Sequence, residues 1–412
     1  MPERNCRFCG THLGQTFADL GMSPLSNSYI PAGRENQGEI FYPLHAYVCG
    51  ACWLVQLEEF ESRENIFGDY AYFSSFSDSW LKHCAGYAGE MVRRFGLGSD
   101  SQVVEVASND GYLLQYFKQH GVRILGVEPA ANVAAVAVGR GIPSEVAFFG
   151  ERTAGQLRSR GFASDLMAAN NVLAHVPDIN DFVAGFVILL KKSGVATFEF
   201  PHLLNLVRGM QFDTIYHEHF SYPSLSSVIN VFKTNGLEVF DVEEIPTHGG
   251  SLRVYAQRSD SPTHPVQASV QQLVDKEIAE GMQTRDFYAS FQPLADKVTF
   301  DLVSFLIKCR EENKTVIGYG AAAKGNTLLN YAGIRPNLLS CVYDASPAKA
   351  GNFLPGSHIP IYPAADFPKH HSDYVLILPW NLTDEIMNLY PQVFERGGKW
   401  VTAIPSLKVH SR

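Results

Sequence analysis

The sequence predicts an α/β protein in which two open, mostly parallel sheets follow a small cysteine-bearing module at the N-terminus. Three observations predict it. Two Cys-x-x-Cys pairs fall within the first 52 residues. From about Asp69, strand-like and helix-like stretches alternate. Beyond a polar break near Ser261 the alternation begins again at Thr315. A chain of 412 residues is also too long for one ordinary core, and domains of about 150 residues imply two or three. The expected boundaries are 1–66, 67–260 and 261–412.

Hydrophobic residues make up 46% of the chain and charged ones 18%, the composition of a compact protein rather than a disordered one. The 33 basic against 42 acidic residues, net −9, argue against a general electrostatic grip on nucleic acid or anionic lipid. No apolar run approaches the ~20 residues of a membrane-spanning helix, and Met1-Pro2-Glu3-Arg4-Asn5-Cys6 lacks a secretory core. The expectation is a cytoplasmic protein with neither a nucleic-acid nor a membrane partner.

In the N-terminal module, Cys6-Arg7-Phe8-Cys9 and Cys49-Gly50-Ala51-Cys52 can each aim two thiolates at one tetrahedral ion. In a reducing compartment such pairs read as metal ligands before disulfides. The interval between them, which contains Gly21-Met22-Ser23-Pro24-Leu25-Ser26-Asn27, exceeds that of a compact zinc ribbon. A thioredoxin-like role needs one pair opening a helix after a strand, whereas both pairs here flank short extended stretches. Structural zinc on Cys6, Cys9, Cys49 and Cys52 is the expectation, with His12 and His45 as nearby alternatives. Cys84, Cys309 and Cys341 read as core residues.

In the central segment, Gln102-Val-Val-Glu-Val106 reads as a strand, Ser108-Asn-Asp-Gly111 as its turn, and an amphipathic helix follows. Ile124–Val127, Asp165–Ala169 and Val195–Phe200 are further strands, with a helix through Phe182 to Leu190. Ligands of such sheets lie beyond the carboxyl ends of the strands. A nucleotide-like cofactor needs a turn that its backbone can approach and an acid at the next strand end to receive ribose hydroxyls. Gly111 and Glu128 meet those needs. The run Glu105-Val-Ala-Ser-Asn-Asp-Gly111 lacks the repeated glycines of a dinucleotide fingerprint, which favours S-adenosylmethionine. Glu105, Ala107, Ser108, Asn109, Gly111, Glu128 and Pro129, with Asn170 and Asn171 from the fourth strand end, are the candidate cofactor residues. The plainer alternative is two strand-end acids capping helices, and asparagines serving a turn.

Past the break, helical periodicity runs to about Asn313. Strands follow at Thr315–Gly320, Leu339–Asp344, Tyr374–Leu378 and Trp400–Ile404. The run Gly318-Tyr-Gly320-Ala-Ala-Ala-Lys324-Gly325-Asn326 either binds a nucleotide diphosphate through backbone amides and Lys324 or simply packs a helix tightly on its strand.

The densest functional cluster is Ile215-Tyr216-His217-Glu218-His219-Phe220-Ser221-Tyr222. Histidines two apart do not share a helical face and no distant third ligand is evident, so a metal site is disfavoured. Acid–base work suits the group better, because histidine titrates near neutrality and an adjacent carboxylate or phenol can orient it. A structural cluster is the remaining reading. His175 is a further crevice candidate.

With these residues in place, the chain resembles the C-methyltransferases of deoxysugar biosynthesis, especially the nucleotide-sugar 3-C-methyltransferases. The likeness rests on the paired cysteines, Tyr70-Ala-Tyr72-Phe-Ser-Ser75, Glu105–Gly111, Tyr216-His-Glu-His219, His248-Gly-Gly250 and Gly318–Lys324, in this order across the whole chain. The resemblance implies a zinc domain, a Rossmann-like class I methyltransferase domain and a second Rossmann-like domain, with a 4-keto-deoxysugar nucleotide bound between them. It implies His219 as base, with Tyr72, Tyr216, Glu218 and His175 around the sugar, and Tyr72, Asn171, His248 and Lys324 as substrate contacts. Tyr72 is the rival for the base. A carbonyl beside the reacting carbon makes its C–H acidic, so no metal is required for the chemistry and zinc is structural. Methylation of a hydroxyl or of a non-sugar carbonyl compound, and sugar-nucleotide binding without turnover, are the competing functions.

Overall fold

The computed structural model describes residues 4–68, 74–76 and 78–411, the side chains of Phe76 and Asp78 left aside. Strands β1 (Gln15–Ser23), β2 (Tyr42–Val48) and β3 (Val55–Leu57) form an antiparallel N-terminal sheet. Cys6 and Cys9 precede β1, and Cys49 and Cys52 occupy the turn from β2 to β3.

The central sheet contains β4 (Gln102–Val106), β5 (Arg123–Val127), β6 (Ser144–Glu145), β7 (Ser164–Asn170) and β8 (Leu190–Pro201), all parallel. After a short strand β9 (Ser221–Tyr222), β10 (Leu237–Ile245) and β11 (Ser251–Arg258) complete it as an antiparallel hairpin. The order is β10-β11-β8-β7-β4-β5-β6. Both faces are covered. Val104, Leu125, Met167 and Ala196 pack on one side, against helices Ile179–Leu189 and Leu225–Thr234. Val103, Leu166, Ala168 and Val195 face the other, with Cys84, Tyr87 and Phe117. Alternation with a period of two places successive residues of a buried strand in two different cores.

Strand β9 does not join that sheet. It pairs antiparallel with β3, Val55 opposite Tyr222, so the N-terminal sheet is finished by chain from the middle of the sequence. The helical stretch of the linker is three helices, Ala268–Ala279, Arg285–Ala289 and Phe291–Glu311, the first break falling at Gly281 in a left-handed conformation (φ +86°). The last sheet holds β12 (Val316–Tyr319), β13 (Val342–Asp344), β14 (Ile361–Pro363), β15 (Tyr374–Ile377), β16 (Lys399–Thr402) and β17 (Lys408–His410), ordered β14-β13-β12-β15-β16-β17 with only β17 antiparallel. One hydrophobic core joins its inner face to the N-terminal sheet: Phe17 stacks on Phe291 at 4.5 Å, and Leu44, Val55, Ile215, Leu302 and Leu376 belong to the same cluster. The α/β class and both parallel sheets are as the sequence predicts. Among the described residues no helix is long and apolar enough to cross a membrane.

Candidate active site and zinc centre

The four thiols of Cys6, Cys9, Cys49 and Cys52 converge, their Sγ atoms all within 4.8 Å of one another. The edges are 3.6 Å for Cys6–Cys52 and Cys9–Cys49, and 3.8 Å for Cys9–Cys52. Zn–S bonds of about 2.3 Å in a tetrahedron require S···S edges of about 3.8 Å, whereas a disulfide brings sulfurs to about 2.05 Å. Gln56 Nε2 donates to Cys6 Sγ (3.2 Å) and the Ala51 amide to Cys49 Sγ (3.4 Å), the outer donors that orient thiolate ligands. These residues fit zinc. His45 is engaged instead with Thr16 and Tyr47, and His12 is exposed.

The cofactor candidates gather at the carboxyl ends of β4, β5 and β7. Glu105 is fully buried, and among the described residues neither of its oxygens has a hydrogen bond of normal geometry. Burial pushes its carboxyl well above the usual range, against an opposing pull from the Tyr112 hydroxyl. Both polar side-chain atoms of Asn170 and Oδ1 of Asp110 are likewise buried without a partner among the described residues. Unpartnered groups clustered at strand ends are what a polar ligand satisfies. Ala107, Asn109 and Gly111 take left-handed backbone, at φ +55°, +48° and +80°, turning the loop sharply around that gap. A Cβ on Gly111 would stand 2.8 Å from Ile142. Glu128 braces this loop, Oε2 accepting from the Asn109 amide and Oε1 from the Ala130 amide, each at 2.9 Å, and Pro129 stands between them. Glu128 thus caps the helix that follows it, and each of its carboxylate oxygens keeps a second lone pair open to a donor. Ser108 turns its hydroxyl onto Gly126, where a Cβ would meet it at 2.2 Å, and that hydroxyl too is buried without a partner among the described residues. S-adenosylmethionine fits this cradle.

Beyond the cofactor crevice stands the histidine group. His219 Nδ1 donates to the Thr214 carbonyl and His175 Nδ1 to the Glu218 carbonyl, both at 2.8 Å. These bonds fix the tautomer and leave each Nε2 with a lone pair. The two rings meet edge to face at 4.7 Å, and Tyr216 lies 4.0 Å from His219. Burial, then the neighbouring His175, hold His219 well below its ordinary 6.5. Burial alone lowers His175 to about 4 despite its carbonyl partner. Both are neutral near pH 7. His248, itself at positive φ (+54°), reaches Asn171 Nδ2 at 3.4 Å and is lowered to about 4 by burial and by the charge of Lys324.

His217 points elsewhere, Nε2 to the Pro43 carbonyl (3.2 Å) and its ring edge-on to Tyr42. Tyr72 lies outside the described residues. Lys324 donates to Asn381 Oδ1 (2.7 Å) and sits 4.6 Å over the Trp380 ring. Trp380 Nε1 in turn donates to Asp213 Oδ2 (2.8 Å), a fully buried carboxyl raised to about 7 by burial. Lys324 thus brings a charge from the last sheet to the histidine group. Sequence reasoning missed Asp213 and Trp380. It also missed the Trp80, His83, Glu199 and Arg253 set, in which His83 Nε2 donates to Glu199 Oε2 (2.9 Å) and Arg253 Nε to Glu199 Oε1 (2.7 Å). Arg253 was readable as a charge inside an alternating strand; the others carry no local signal.

Three family models match the chain: a "Putative zinc binding domain" over residues 6–67, a methyltransferase domain over 80–242, and a C-methyltransferase C-terminal domain over 246–405. The C-methyltransferase NovU of Streptomyces niveus is 34% identical over 410 residues, covering 100% of this chain and 97% of the relative. Among solved structures, the magnesium protoporphyrin IX methyltransferase of Synechocystis PCC 6803 with bound SAM shares 14% identity, covering 48% of this chain and 89% of that one at a TM-score of 0.34. The PH0226 protein of Pyrococcus horikoshii shares 12%, covering 48% and 99% at 0.36. Overlaps of this size carry no argument about function.

Proposed function

The chain belongs to the C-methyltransferase family, an S-adenosylmethionine-dependent enzyme with a zinc-binding module, and from that premise we propose that it methylates C3 of a nucleotide-linked 4-keto-deoxysugar by way of an enolate. One observation carries the reading: two neutral imidazoles, each with its Nδ1–H tied to a carbonyl and its Nε2 left as an acceptor, stand beside a phenol at the edge of the cofactor crevice. A neutral, oriented imidazole is a base for an acidified C–H and needs no metal.

His219 Nε2 takes the proton from the carbon next to the ketone, leaving an enolate. When bound, S-adenosylmethionine supplies an activated methyl that already carries its leaving group. The Tyr216 hydroxyl stabilises charge on the enolate oxygen as a hydrogen-bond donor, worth a few kcal/mol where well placed by analogy with oxyanion holes, while neutral His175, whose one N–H is held by the Glu218 carbonyl, packs edge to face on His219 and keeps that ring in place. Asn171, His248 and Lys324 line the sugar side, and the turn at Gly318–Lys324 receives the nucleotide in the segment 261–412, with 1–66 as zinc module and 67–260 as methyltransferase domain. The crevice around Glu105, Glu128 and Asn170 holds the cofactor.

The test is incubation with labelled S-adenosylmethionine and a panel of nucleoside-diphosphate 4-keto-deoxyhexoses, with NMR of the product. A new C–CH3 at C3 is expected. Label on oxygen, or label on a non-sugar carbonyl compound alone, would replace this reading.

A further inference from the structure

The loop that leaves β1 has no role in the chemistry above, yet it runs into the middle of the site. The Ser26 carbonyl accepts from Asn326 Nδ2 (2.6 Å), and Tyr29 Oη donates to the Ala321 carbonyl (2.7 Å). Ile30 and Phe353 exchange backbone bonds of 3.0 and 2.8 Å. Between these anchors on the last domain, Asn27 Nδ2 donates to Glu218 Oε1 at 2.6 Å. The amide can point only one way, because only its nitrogen end can donate to a carboxylate.

Glu218 is 5% exposed. A carboxyl group so placed is held in one orientation only where donors meet it, and the Asn27 amide is such a donor. The same residue's carbonyl holds the Nδ1–H of His175, and the next residue is His219. Whatever fixes Glu218 therefore fixes the backbone from which both imidazoles are aimed.

We propose that Asn27, delivered by the zinc module, is a positioning residue for methyl transfer: its amide holds the Glu218 carboxylate, and through it the His175 and His219 pair. This inference rests on the methyltransferase reading above. It gives the N-terminal module a part in turnover beyond its own folding.

The experiment compares wild type, Asn27→Ala and Asn27→Asp with S-adenosylmethionine and the same panel of nucleoside-diphosphate 4-keto-deoxyhexoses. Asn27→Ala is expected to lower kcat by about 10–100-fold, the scale of small misplacements at a reacting centre, with zinc content and KM for S-adenosylmethionine unchanged. Asn27→Asp keeps the side-chain shape but sets a second carboxylate against Glu218. At such a distance the two share a proton rather than both ionise. While it is shared, the new carboxyl stands in for the amide as a donor to Glu218; when the proton leaves at higher pH the two carboxylates repel, so kcat of Asn27→Asp should fall as pH rises, by about 10-fold or more across a range where wild type is level. A merely structural role would lower kcat by the same factor at every pH. A kcat profile of wild-type shape in Asn27→Asp overturns the inference, whether activity is full or reduced by loss of zinc or fold. Methyl transfer by wild type to no member of the panel overturns instead the reading on which it stands.

Discussion

Replacing His219 by Asn separates proton removal from everything else the site does. The asparagine amide can still donate to the Thr214 carbonyl, now served by Nδ1 at 2.8 Å, so the local backbone keeps its partner. What disappears is the Nε2 lone pair and the ring contacts to Tyr216 at 4.0 Å and His175 at 4.7 Å. Loss of that packing costs stability on the order of 1–2 kcal/mol, in line with partial emptying of a core site, and leaves the protein folded. Loss of a positioned base costs about 10²–10⁴ in rate, or roughly 3–5 kcal/mol of barrier at 1.36 kcal/mol per tenfold. The assay is uptake of deuterium at the sugar carbon in heavy water with S-adenosylhomocysteine, which blocks transfer and leaves deprotonation alone. Wild type should exchange above background and His219→Asn should not, while binding both ligands. The sign of the pH dependence follows from burial. Because His219 titrates well below 6.5, it is already neutral there, and wild-type exchange stays level down to pH 6.5, falling only as pH drops through the lowered value. Normal exchange by His219→Asn, with exchange lost in Tyr72→Phe, would refute the assignment and make Tyr72 the base.

Glu128→Ala should weaken S-adenosylmethionine binding by about 1–3 kcal/mol, the usual scale for hydrogen bonds to a charged group. It removes the proposed ribose acceptor and frees the Asn109 and Ala130 amides together; unchanged affinity by calorimetry would move the cofactor, first to the Gly318 turn. Elemental analysis should find one zinc per chain, and chelation should open residues 6–67 to protease before the central sheet; zinc-free fresh protein with four titratable thiols would remove the centre. Ala107 sits at φ +55°, which costs a residue with a Cβ about 1–2 kcal/mol. Ala107→Gly should therefore hold or raise the melting temperature and Ala107→Val lower it, and a Val variant as stable as wild type would deny the left-handed turn.

What the sequence made legible follows its local signals. Strand β4 was read residue for residue at Gln102–Val106, because a continuous apolar run ending in a turn is a local pattern. The hairpin of β10 and β11 escaped notice although Leu237–Ile245 alternates in burial, since alternation diluted by Glu238, Asp241, Glu243 and Glu244 is weak against a strong helical neighbour. Convergence of the four cysteines was readable because each pair is a turn and the metal supplies the long-range rule. The placing of Lys324 against Trp380, of Asp213 beneath it and of Asn27 on Glu218 was not. Each joins elements from different parts of the chain, with nothing in the intervening sequence to announce it. His217 shows the reverse: adjacency to Glu218 put it in the candidate cluster, but successive residues of an irregular loop point apart.

The pairing of β3 with β9 has a consequence for the protein while it is being made. Some 165 residues of chain separate the two strands, which at the usual 5–20 residues per second of synthesis is on the order of 10–30 s. For that interval the N-terminal module has its cysteines and three strands but an open edge at Val55-Gln56-Leu57, all three buried in the finished protein. An uncovered edge of this kind invites the wrong strand. Two ribosomes on one message carry such edges close together, so the nascent chain is exposed to mispairing until Ser221 and Tyr222 emerge. Slower elongation lengthens that exposure, and a strand supplied early, by circular permutation for example, would close it.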